Sequence, residues 1–85
     1  MGGGVRSSLG YRVFLTSRNW LKYVEGNLTV FVFVEALVGS RSLALNPDGV
    51  HVGSTKGPGL EDETVRQRVI DRVRRACAFL GWTVE

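Results

Sequence analysis

Apolar positions along this chain change rhythm once. From Leu9 to Glu35 large apolar residues alternate or run together with the period of two that suits strands. Beyond Leu60 they recur every three or four residues, as on one side of a helix. Leu9 to Thr16 is rich in β-formers and predicts a first strand, closed by the turn-like Ser17-Arg18-Asn19. Trp20–Glu25 and Leu28–Glu35 predict a hairpin across Gly26-Asn27. A two-residue Gly-Asn link suits a type II′ turn, in which Gly takes the positive φ. That register sets Glu25 against Leu28, Tyr23 against Val30, Leu21 against Val32 and Trp20 against Phe33.

Opposed residues share a face. One face then carries Leu21, Tyr23, Leu28, Val30, Val32 and Val34. The other carries Trp20, Lys22, Val24, Phe31 and Phe33. Both are apolar, which is unusual for an antiparallel hairpin with one side facing water. Ala36 to Arg41 reads as an irregular connection. Ser42–Leu45 and Val50–Ser54 predict a second hairpin around Asn46-Pro47-Asp48-Gly49, with Gly49 in the left-handed region. Thr55 to Gly59 is a connector. A helix is expected over Glu61–Leu80, with acids at its start, arginines toward its end and Gly81 just past it. Its apolar stripe is Val65, Val69, Val73, Ala76 and Leu80, widened by Ile70 and Cys77. Trp82–Glu85 reads as a short last strand or an extended tail.

The fold class expected is α+β: an antiparallel β-meander of four to six strands with one C-terminal α-helix packed on one face. Residues 1–8 read as a flexible N-terminal tail and residues 9–85 as a single domain. One helix covers one face of a sheet, so the second apolar face needs the first strand, sheet curvature or another molecule to cover it.

Composition narrows this further. Eighty-five residues make one domain with a core one layer deep. An apolar fraction of 44% and a charged fraction of 22% are ordinary for a globular chain. No apolar run is long enough to cross a membrane and no secretion signal opens the chain. The single cysteine, Cys77, excludes an intramolecular disulfide and reads as a small buried hydrophobe. These features lead to the expectation of a cytoplasmic protein without a membrane partner. The net charge is +3, and it is unevenly spread. Residues 1–60 hold six basic and three acidic groups, while residues 61–85 hold five of each. The Arg-rich helix is therefore balanced, which weakens it as a nucleic-acid reader.

Catalytic chemistry is sparse. His51 is the one histidine, so a zinc site lacks ligands, and no nucleophile motif accompanies it. Gly53 to Gly59 lacks the order of a phosphate loop, and Glu61, Asp62 and Glu63 would repel an anion there. Glu25 and Glu35 are expected to lie too far apart to share acid–base work, and read as solvated strand ends. Arg68, Arg72 and Arg75 with Phe79 form a basic row that reads mainly as a solvated face with local ion pairs, Asp71 with Arg75 among them. Arg66 is expected to lay its stem across the sheet edge. No enzyme, no cofactor and no metal are expected.

Asn19 to Gly26, read N-W-L-K-Y-V-E-G, and the chain end from Arg66 to Glu85 resemble a family of small bacterial immunity proteins of polymorphic toxin systems. The matching positions are Trp20, Leu21, Lys22, Tyr23, Glu25 and Gly26, then Ala76, Phe79, Gly81, Val84 and Glu85. The resemblance covers about residues 18–28 and 65–85 and leaves Val30 to Gly59 unplaced. It implies an α+β protein that binds and blocks a cognate toxin protein. Immunity proteins against nucleases are often acidic, whereas this chain is +3, so the implied target surface is acidic or apolar, or the contact avoids the toxin's phosphate-binding site. The expected partner-binding residues are Trp20, Lys22, Phe31 and Phe33, with Arg18 on the rim, because aromatics anchor interfaces. The same residues also fit a core role, within the chain or in a homodimer. The alternative function is a small basic nucleic-acid-binding module, resting on a pI near 9.6 and on Arg18, Lys22, Arg41 and Lys56.

Overall fold

The two hydrophobic rhythms become one sheet and one helix. A computed structural model of the protein describes residues 4–17, 19–36 and 42–84. The strands are β1 (Gly4–Arg6), β2 (Tyr11–Ser17), β3 (Trp20–Glu25), β4 (Leu28–Ala36) and β5 (Ser42–Val52). Helix α1 (Glu63–Phe79) follows, and β6 (Thr83–Val84) ends the described chain. Spatial order equals chain order, β1 to β6. The first five strands form an antiparallel meander, and β6 joins the edge parallel to β5. The protein is thus α+β with one C-terminal helix on one face of the sheet.

The β3–β4 register is the one its turn dictates, from Glu25 opposite Leu28 to Trp20 opposite Phe33. Gly26 has φ 58° while no described non-glycine residue has positive φ, as a type II′ turn requires. Several expectations need correction. Gly4–Arg6, read as part of a flexible tail over residues 1–8, is strand β1. Val5 opposes the buried Val13, and Ser7 N–H donates to Tyr11 O at 2.9 Å to close the hairpin.

The second expected hairpin does not form, because Ser42–Val52 is one strand. Val50 pairs with Val32 and Leu45 with Val34, so Asn46 to Gly49 bulges outward without reversing the chain. Asp48 N–H donates to Asn46 Oδ1 at 2.9 Å, which stabilises the bulge locally. Gly49 is not left-handed, contrary to expectation. A Cβ there would lie 2.8 Å from Phe33 Cβ, so glycine serves a close approach.

The helix is shorter at each end than expected. Asp62 caps it by accepting from Val65 N–H at 3.1 Å, which leaves Glu61 outside. At the other end Gly81 N–H reaches Ala78 O and Trp82 N–H reaches Cys77 O, with Gly81 at φ 86°. This Schellman pattern satisfies the last carbonyls and turns the chain back toward β5. Val69, Ile70, Val73, Ala76 and Cys77 are buried against Tyr11, Val13, Leu21, Tyr23, Val30, Val32, Val34, Leu43, Leu45 and Val50. Leu80, expected on the stripe, is exposed. Burial raises the pKa of the Cys77 thiol, which keeps it protonated and inert.

Beside this apolar contact lies one polar clamp. Tyr23 is buried, and its hydroxyl donates to Glu25 Oε1 at 2.7 Å while accepting from Arg72 NH1 at 3.0 Å. Arg68 and Arg72 each stand 3.3 Å from a Glu25 oxygen. The Arg72 guanidinium lies 4.7 Å from the Tyr11 ring centre, and Tyr11 stacks on Tyr23 at 5.5 Å. Glu25 is therefore not a solvated strand end. The Tyr23 hydrogen bond, helped by the two arginines, holds its carboxyl below its ordinary pKa. Burial, then Glu25, pushes the Tyr23 phenol up.

Two outcomes follow for stability. Gly49→Ala, which drives a methyl into Phe33, is expected to cost about 1–3 kcal/mol by urea unfolding. The depressed Glu25 pKa contributes stability present above the ordinary carboxylate value and lost as pH falls through the folded one. In urea titrations Glu25→Gln should therefore be less stable at neutral pH and should lose part of the wild-type decline below about pH 4.

Candidate functional site on the open sheet face

Strand pleating sends alternate residues to the side away from α1. On β3 these are Trp20, Lys22 and Val24, and on β4 they are Thr29, Phe31, Phe33 and Glu35. The register then extends this face across the neighbouring strands. Phe14 opposes Lys22, Lys22 opposes Phe31, and Phe31 opposes His51, so four strands contribute one continuous row. A parallel row runs from Arg6 through Arg12 and Val24 to Thr29.

The rings in this face are half-buried, in contact with their neighbours and on the side of the sheet away from α1. Trp20 meets Phe33 edge-on at 5.3 Å and His51 at 5.9 Å. Such edge contacts hold the ring planes at fixed angles. The His51 ring is fixed from its other side, with Nδ1 2.9 Å from Gly57 O, so Nδ1 carries the proton and donates. The Lys22 ammonium lies 5.7 Å from the ring centres of both Phe14 and Phe31. A cation placed between two rings is held by both quadrupoles. Asn19 locks the β3 start, since its Nδ2 donates to Val34 O at 2.9 Å and its carbonyl accepts from Val34 N–H at 2.8 Å. The platform is thus rigid at the Trp20 end.

Four of the five expected partner-binding residues, Trp20, Lys22, Phe31 and Phe33, come together on this face. Arg18, the fifth, lies outside the described residues, as does Arg41. Sequence reasoning missed Arg6, Arg12, Phe14 and His51. Phe14 and Arg12 alternate correctly within Tyr11–Ser17, so a register for the first strand would have found them. Arg6 was hidden by the glycine-rich opening.

The basic row on the helix is not an available site. Arg68 and Arg72 hold Glu25, and Arg75 Nε stands 3.1 Å from Asp71. Arg66 pairs with Glu63 and donates to Leu60 O at 3.4 Å. Phe79 is 82% exposed at the helix end, away from the ring platform. Among the described residues no group of three or more potential ligands could hold a metal ion, and no helix is long and apolar enough to cross a membrane. Comparison with protein-family models, curated proteins and solved structures finds no match.

The half-buried state of the rings sets their energetic worth. Phe31→Ala is expected to cost about 1–2 kcal/mol in urea unfolding, well below the roughly 3–5 kcal/mol of a fully buried phenylalanine. A loss in the upper range would assign Phe31 to the core instead.

Proposed function

We propose that the protein is a non-catalytic, cytoplasmic binding domain that neutralises a cognate bacterial toxin by docking on it and occluding it. The observation that carries this reading is the sheet face away from α1, where Phe14 and Phe31 flank Lys22 and Trp20 meets Phe33. Aromatic anchors on a rigid platform with a basic rim are what a protein interface uses for affinity. The immunity-protein resemblance of the Trp20–Gly26 strand and the chain end supplies the class of partner.

A second reading, a nucleic-acid-binding module, draws on the same face. Arg6, Arg12 and Lys22 beside phenylalanine rings match the pairing of phosphate contacts with stacking platforms. The engagement of Arg68, Arg72 and Arg75 in ion pairs removes the helix from that reading.

The test is a pull-down with the tagged full chain from its native host, with and without nuclease, followed by mass spectrometry. One stoichiometric protein should survive nuclease and prove toxic when expressed alone. Lys22→Glu with Phe31→Ser should weaken its capture at least about tenfold while the circular dichroism spectrum stays native. Nucleic acid in the eluate, lost with nuclease or raised salt, would overturn the proposal.

A further inference from the structure

Arg6 and Arg12 stand directly opposite one another on β1 and β2, on the open face, and both are exposed. Like charges in directly opposed cross-strand positions repel. Every described arginine of α1 except Arg74 has a carboxylate partner, yet Arg6 and Arg12 have none among the described residues. Lys22 likewise lacks one and lies diagonally from Arg12 across β2 and β3.

The acids explain why. Glu25 sits on the helix side of the sheet, and Glu61, Asp62, Glu63 and Asp71 belong to α1 or the residues leading into it. Of the other described acids, Glu35 shares the parity of the open face toward the far end of β4, and Asp48 lies in the β5 bulge, away from the β1–β2 edge. The fold therefore separates charge, with basic groups gathered unpaired at the β1–β2 corner. At that corner Val5, Arg6, Arg12 and Phe14 line a shallow hollow of about 220 Å³. Gly4, opposite Phe14, adds no side chain above the ring.

We propose that this corner is an anchor for a partner's carboxylate, with an apolar side chain of the same partner segment seated on Phe14. The proposal rests on the protein-binding reading above and specifies the partner's chemistry: an acidic surface segment with apolar residues interleaved. A carboxylate between the two guanidiniums removes their repulsion and gains charge-assisted hydrogen bonds from both. Lys22 extends the positive field toward the aromatic platform, so a second acid of the partner fits one diagonal step away. Protein is favoured over nucleic acid because the hollow is small and partly apolar, and because the Phe14 ring already faces the Lys22 ammonium on one side. A stacked base needs an open ring face; an aliphatic side chain needs only the hollow.

The experiment is an amide NMR titration of the full chain with two probes of equal charge, a peptide alternating Glu and Leu and an oligo-dT strand. The expected result is peptide-induced shifts centred on Arg6, Arg12, Phe14 and Lys22, and affinity at least about tenfold above oligo-dT. Arg6→Glu with Arg12→Glu should abolish peptide binding. The single change Arg12→Glu should weaken it by about tenfold and, by pairing with Arg6, raise the melting temperature by about 1–4 °C. Peptide binding that persists in the double variant, or maps to Trp20 and Phe33 alone, overturns the corner anchor but spares the protein-binding reading. Tighter binding of oligo-dT overturns both. Absence of binding by either probe at millimolar concentration overturns the anchor.

Discussion

A sheet with two apolar faces and a single helix to cover them is the constraint from which the rest of this protein follows. Helix α1 has 17 residues, about 25 Å of length. It can bury Tyr23, Val30, Val32 and Val34 but cannot reach around to Phe31 and Phe33. The choice of face is enforced twice. Small β-branched residues on the helix side allow close approach, and the Tyr23–Glu25–Arg68–Arg72 clamp places charge where only one docking geometry satisfies it. With Glu25 removed, Tyr23, Arg68 and Arg72 would each lose a partner.

The clamp also sorts charge between the faces. By holding Glu25 on the helix side, and with most remaining acids in or beside α1, it leaves Arg6, Arg12 and Lys22 with no carboxylate partner among the described residues. The open face is therefore basic and aromatic at once, even though the net charge of the chain is modest. A count of basic residues points to the helix, yet all its arginines but Arg74 are engaged in ion pairs. What remains available is a smaller set, on strands, with rings held in fixed orientations by Trp20, Phe33 and His51.

The glycines mark where backbone demands rather than side chains shape this surface. Gly26 permits the tight β3–β4 turn, which sets the register and hence the membership of each face. Gly49 lets the β5 bulge approach Phe33 closely. Both are short-range devices with a long-range consequence for which side chains face outward.

Several features were legible in the sequence because they depend on short-range physics. The Gly26-Asn27 turn determined the β3–β4 register, and pleating then assigned Trp20, Lys22, Phe31 and Phe33 to one face. The 3.6-residue period of Val69, Val73 and Ala76 determined the helix and its buried side, and Gly81 its end. Other features were decided only by tertiary structure. Gly4–Arg6 has little strand propensity and becomes β1 only because β2 offers an unpaired edge. Asn46 to Gly49 has the composition of a reversing turn, yet continued pairing with β4 on both sides makes it a bulge. Glu25 and Tyr23 are two residues apart on a strand, but their role depends on Arg72, 49 positions beyond Tyr23. The opposition of Arg6 and Arg12 likewise needs a strand pairing that local pattern does not encode. Local turns and periodicities fix which side chains share a face; only the packed chain decides which face is covered and which charges are left unpaired.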